Sequence, residues 1–85
     1  MNIEGTLEQR GREYGSFVDQ SVIAQAIKAA FRMNGRWNEL APDQREALDH
    51  IAVKVSRILN GNQDHFDSWH DIGGYAQLVA RRLSA

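Results

Sequence analysis

The sequence predicts an all-α domain of three main helices, with the last two folded back on each other as an antiparallel hairpin and the whole assembled as a homo-oligomer. Three observations predict it. Apolar residues recur at three- and four-residue steps in three separate stretches, which places them on one face of a helix in each. Glycine-containing breaks separate the stretches, and the single proline stands at the start of the second. With 85 residues, the chain makes one domain burying only about 60–65 % of its unfolded surface. Its core is thin, and assembly would relieve that.

Residues 1–15 are polar, hold three glycines, and bring Arg10, Arg12 and Tyr14 close together. They read as an arm preceding a single helical domain over residues 16–85, because Gly11 and Gly15 argue against a long helix. Two guanidinium groups and a phenol on such an arm could fold over a planar, phosphorylated ligand.

The first helix is expected from Ser16 to Asn34, on the stripe of Val18, Val22, Ile23, Ala26, Ile27, Ala30 and Phe31. Ser16 is suited to the N-cap, with Asp19 three residues on. Asn34 and Gly35 are expected to end the helix in a left-handed stop. Lys28, Arg32 and Arg36, at steps of four, make a basic edge. The connection that follows holds Trp37, expected as a lid on the core.

The second helix is expected from Pro42 to Asn60, with Leu48, Ile51, Ala52, Val55, Ile58 and Leu59 as its stripe. Pro42 suits the first helical turn, where its missing amide has no partner in any case. Gly61 is expected as the C-terminal stop. A short loop leads to the third helix, Asp67 to Leu83, with Trp69, Ile72, Ala76, Val79 and Leu83 on one face and Asp67, Asp71 and Tyr75 on another. Gly73 and Gly74 lie inside this helix, and each costs about 1 kcal/mol against alanine. The pair implies close approach by another backbone or by a ligand. Folding the hairpin sets Lys54 and Arg57 opposite Asp67 and Asp71, so ion pairs across the hairpin account for these four residues.

Ten basic and 11 acidic residues give a net charge of −1, too balanced for a general field toward nucleic acid or an anionic membrane. There is no cysteine, which excludes disulfides and thiolate metal sites. No stretch approaches the roughly 20 apolar residues of a membrane span, and none resembles a signal peptide. A cytoplasmic protein is expected. Glu46 and Asp49, with Asp67 and Asp71, form two carboxylate pairs at helical spacing. Together they could hold magnesium for pyrophosphohydrolysis of a nucleotide. Lys54 and Arg57 compete for the same carboxylates. His50, His65 and His70 match no standard zinc spacing, and no serine stands in a nucleophile elbow.

The elements REYG at 12–15, KVSRILNGN at 54–62 and DSWHDIGGYAQL at 67–78 resemble a family of small, phage-encoded, all-helical domains of unknown function. In that family a tyrosine-glycine pair precedes a K-x-x-R-I helix and a D-x-x-x-D-I-x-G-Y-A helix. The chain is also similar to the phage nucleotide-modification-associated domain. The resemblance implies an all-helical fold, a phage origin and hence the cytoplasm of a host cell, and a link to nucleotide metabolism. The matching residues are Tyr14, Gly15, Lys54, Arg57, Asp67, Asp71, Gly74 and Tyr75, while Gly73 stands where the family more often has alanine.

The expected function is binding of a nucleotide-like phosphorylated small molecule, without a catalytic residue or cofactor. Arg12, Lys54 and Arg57 would contact phosphate. Tyr14 and Tyr75 would stack on a base, Gly73 and Gly74 would let the ligand approach the backbone, and Asp71 would line the same face. Such binding could sequester a host nucleotide signal used in antiviral defence. Two alternatives come from other classes: the magnesium-dependent hydrolase on Glu46, Asp49, Asp67 and Asp71, and a protein inhibitor of a host enzyme.

Overall fold

The computed structural model describes residues 3–85, all-helical apart from its turns; the first two positions of the expected arm lie outside them. In place of an arm, Ile3–Tyr14 forms a helix, α1. Glu4 in its first turn and Arg12 in its last complement the helix dipole. Helix α1 rests on its neighbours, and that tertiary support outweighs the propensity cost of its glycines.

Helix α2, Phe17–Phe31, starts where expected: the Ser16 side chain caps it by accepting from the Asp19 amide. Its end differs. The helix stops at Phe31, with the Arg32 amide donating to the Ala29 carbonyl and the Met33 amide to that of Ala30, and Gly35 is not left-handed. The only positive-φ residue described is Gly15, at 75°. Asn34 instead opens a short 3-10 helix, Gly35–Glu39, by accepting from the Arg36 amide at 2.9 Å. Trp37 from this turn stacks on Phe31 with 5.7 Å between ring centroids, and Arg32 covers the indole. The tryptophan is thus the expected lid.

Helix α3, Pro42–Asn60, has the expected bounds, with proline in its first turn and Gln44 accepting from the Ala41 amide at 2.8 Å. Helix α4 runs Phe66–Ser84. Gly61 has φ −144°, so it does not stop α3 by a left-handed turn; its role is close packing, described below.

Helix α3 is the centre of the molecule, packed against α4 on one side and α2 on another, with α1 resting on both α2 and α3. The α3–α4 hairpin keeps one antiparallel register. Lys54 pairs with Asp71, His50 stacks on Tyr75 and Asp43 pairs with Arg82. Each step of four or seven back along α3 is matched by the same step forward along α4. This register rotates α4 from the expected orientation: Ser68 is buried and Ile72, Tyr75 and Val79 are half-buried, whereas Trp69 and Leu83 stand exposed. The Trp69 indole donates instead to the Gln63 carbonyl at 2.7 Å, pinning its own loop.

The α2–α3 seam is built from small residues. Ala24 and Ala52 are its buried apolar positions, joined by Gln20 and Ser56, while the third buried alanine, Ala47, faces Tyr75 and Val79 of α4. The Gln20 amide donates to Ser56 Oγ at 3.1 Å, and that hydroxyl donates to the Val53 carbonyl. Polar groups in this seam are satisfied, as burial requires. Arg32 closes its far end with two hydrogen bonds to Asp49, at 3.1 and 2.8 Å. Small side chains let the helices approach closely but leave the large apolar ones outside, among them Val18, Val22, Leu59 and Leu78.

Candidate functional site

The Tyr14–Gly15 turn between α1 and α2 is held by the turn between α3 and α4. Asn60 donates from its side-chain amide to the carbonyls of Tyr14 and Ser16, both at 2.9 Å, and the Asn62 amide donates to the Glu13 carbonyl at 2.7 Å. The two backbones come so close that a Cβ on Gly15 would collide with the Asn60 carbonyl, and one on Gly61 with Glu13 and Tyr14. Both glycines are required by this crossing, and Gly15 also by its φ.

The crossing presents the Tyr14 ring. The Arg57 guanidinium lies over it, 4.5 Å from the centroid, and the His65 ring meets its edge at 5.3 Å. His65 is itself held between Ser68, at 3.0 Å, and Glu13, at 3.4 Å. Beside this cluster opens a cleft of about 390 Å³, whose lining includes Leu7, Arg10, Tyr14, Phe17, Gln20 and Arg57. Among the described residues neither Arg10 nor Arg57 makes an ion pair, and Arg57 Nε is buried with no hydrogen-bond acceptor. The first turn of α2 reaches the same cleft through Ser16 and Phe17. Two guanidinium groups, an aromatic ring and the positive end of a helix therefore border one cavity.

A second locus lies on the α3–α4 seam. Lys54 Nζ is 3.0 Å from Asp71. Its hydrogen bond holds the Asp71 carboxyl below the usual aspartate range, against partial desolvation. An open groove of about 430 Å³ runs along α4 past His70, Asp71, Gly74, Tyr75, Leu78 and Arg81. The Tyr75 ring is stacked on His50 with 4.6 Å between centroids.

The expected site residues therefore divide. Tyr14 and Arg57 border the cleft; Asp71, Gly74 and Tyr75 border the groove; the two share no lining residue. Lys54 belongs to the groove's side through Asp71. The expected pairing of Arg57 with Asp67 or Asp71 does not form, because the tyrosine ring takes the guanidinium. Arg12 is exposed and does not line the cleft; Arg10 does. Neither Gly73 nor Gly74 has anything within 4 Å of where a Cβ would stand, so no other backbone among the described residues packs against the pair.

The four carboxylates of the magnesium alternative are also dispersed. Asp49 is engaged by Arg32 on the α2–α3 seam, Asp71 by Lys54 on the α3–α4 seam, and Glu46 lies 3.5 Å from His50. Asp67 is exposed in the first turn of α4. Among the described residues no three histidine or carboxylate groups converge.

The chain matches no family model, no curated protein and no solved structure. Sequence reasoning groups Arg10 with Arg12 and Tyr14 but gives the phosphate contact to Arg12, and it misses Asn60 and the place of His65 beside Tyr14. The signal for Arg10 was present, since residues 10 and 14 stand on one helical face and residue 12 does not. That signal depends on treating this stretch as a helix. Asn60 and His65 act across long sequence separations, which no local pattern reveals.

Proposed function

We propose that this protein binds a nucleotide-like phosphorylated small molecule in the cleft beside Tyr14. The observation carrying this reading is the state of Arg57: a guanidinium bordering a cavity, with no carboxylate partner and with Nε buried beside no acceptor. The guanidinium makes no ion pair, and a phosphate oxygen entering the cleft would supply one to the part of it that borders the cavity. Arg10 supplies a second charge, and the amides of the first turn of α2 favour an anion. Tyr14, Phe17 and Leu7 offer apolar and aromatic surface to a base or sugar.

The protein acts in this reading by binding rather than turnover, as a phage-encoded homo-oligomer in the host cytoplasm that sequesters a host nucleotide signal. Calorimetric titration with a panel of linear and cyclic nucleotides tests it. Saturable binding is expected for at least one of them, weakened about tenfold or more by Arg57→Ala and by Arg10→Ala, with circular dichroism unchanged. Absence of binding across the panel by the unaltered protein would refute the reading.

A further inference from the structure

We infer that the outer face of α2 is the surface on which two copies of this chain pair, antiparallel and about a two-fold axis. This rests on the homo-oligomer reading above and assigns it a face. The inference begins with area. The chain exposes 6140 Å², whereas a folded monomer of its mass, 9.6 kDa, is expected to expose about 5,100 Å². Its radius of gyration is 14.6 Å, against about 12 Å for a compact chain of this length. The excess of about 1,000 Å² is comparable to the roughly 800 Å² that each partner loses in a standard interface.

Composition points to α2 as the place. A helix apolar around its circumference is normally covered on all sides, and α2 is covered where it meets α1 and α3 and, at Phe31, by Trp37. Asp19 is the single charge among its exposed positions. Val18 and Val22 are 69 % and 65 % exposed, and Met33 just beyond the helix 85 %. Loss of charge from the centre of a patch marks an interface core. By contrast, the exposed face of α4 carries Asp67, Arg81 and Arg82.

The pattern selects a second copy as the occupant. The exposed stripe Val18, Val22, Ala26, Ala29, Met33 is complementary to itself when reversed. Laid antiparallel on itself, it sets Val18 against Met33 and Val22 against Ala29 of the second copy, with Gln25 and Ala26 at the axis. Each bulky residue at the second step meets a small one, and residue i meets j where j meets i, as an isologous contact demands.

Light scattering and native mass spectrometry test the proposal at tens of micromolar protein. The unaltered chain is expected at twice the 9.6 kDa chain mass or an even multiple of it. Val22→Glu and Ala29→Glu should each halve that mass with helicity retained, and Leu78→Glu on α4 should not. Because the chain has no cysteine, Gln25→Cys gives a test that does not depend on disrupting anything: it should cross-link copies on mild oxidation, and Asp64→Cys should not. A monomeric unaltered chain would overturn both the homo-oligomer reading and this face. An oligomer unaffected by Val22→Glu and Ala29→Glu, with no cross-link through position 25, would overturn the face alone.

Discussion

The side-chain amide of Asn60 lies 2.9 Å from the carbonyl oxygen of Tyr14, 46 positions earlier in the chain. The same nitrogen meets the Ser16 carbonyl, so one residue at the end of α3 fixes both sides of the left-handed Gly15. Arg57, one turn earlier on α3, then covers the Tyr14 ring. The cleft proposed to hold a ligand is thus bordered by a tyrosine whose position is set by a residue distant in the chain.

Asn60→Ala removes two partly buried hydrogen bonds and is expected to cost about 2 kcal/mol. At the size of this domain that lowers Tm by roughly 8–16 °C. Asn60→Asp should cost more, because a carboxylate would face two carbonyl oxygens. Thermal unfolding followed at 222 nm checks both, and equal Tm values for all three proteins would refute the role.

Gly15→Ala and Gly73→Ala are expected to act in opposite directions. At Gly15 the added methyl meets the Asn60 carbonyl and the backbone is left-handed, so a loss of about 2 kcal/mol or more follows. At Gly73, inside a helix with open space where the methyl would stand, alanine should stabilise by about 1 kcal/mol. Urea denaturation of the two variants measures the contrast; destabilisation by Gly73→Ala would mean that something covers this face of α4 in solution.

The pair Lys54–Asp71 defines the hairpin register together with the oppositely oriented Asp43–Arg82. Lys54→Asp or Asp71→Lys alone should destabilise, and the double exchange should restore most of the loss. The pair is only partly screened from water, so the coupling expected from a double-mutant cycle is small and favourable. Additive losses would remove the pair from the account of the register.

Acid sensitivity follows from three aspartates. Asp43, Asp49 and Asp71 are each held below the usual carboxylate range, chiefly by hydrogen bonds from Arg82, Arg32 and Lys54. The unfolded chain, with its aspartates near about 3.9, binds more protons than the folded one in the window below that value. These contributions are therefore complete above the unfolded value and are lost as pH falls through the lowered folded ones. Tm should be flat in this respect above about pH 5 and fall below about pH 4. Asp49→Asn should shallow the acid limb; an identical limb would refute the assignment of Asp49.

The helices themselves were legible because their signals are local. Pro42 and the stripe from Leu48 to Leu59 set α3 at both ends, and Ser16 marked the start of α2. Helix α1 was misread as an arm, since its glycines weaken local propensity and only contact with α2 and α3 compensates. Gly35 and Gly61 were misread as left-handed stops. One opens a 3-10 turn, and the other makes room for a crossing backbone that lies 46 or more positions away.

For the site, the chemical groups are legible in the residues alone: tyrosine before glycine, basic residues one turn apart on α3, carboxylates four apart on α4. How they combine is settled by the packing of the helices. Charge pattern allowed both Lys54 and Arg57 to meet the α4 aspartates, and helix packing granted that pairing to Lys54 alone while setting Arg57 over Tyr14. The physical reason is that residue spacing specifies a face of one helix, whereas the partner of that face depends on register and crossing geometry. Those are set by the small residues of the seams, Ala24, Ala47, Ala52 and Ser56, and by the two glycines that let the turns cross.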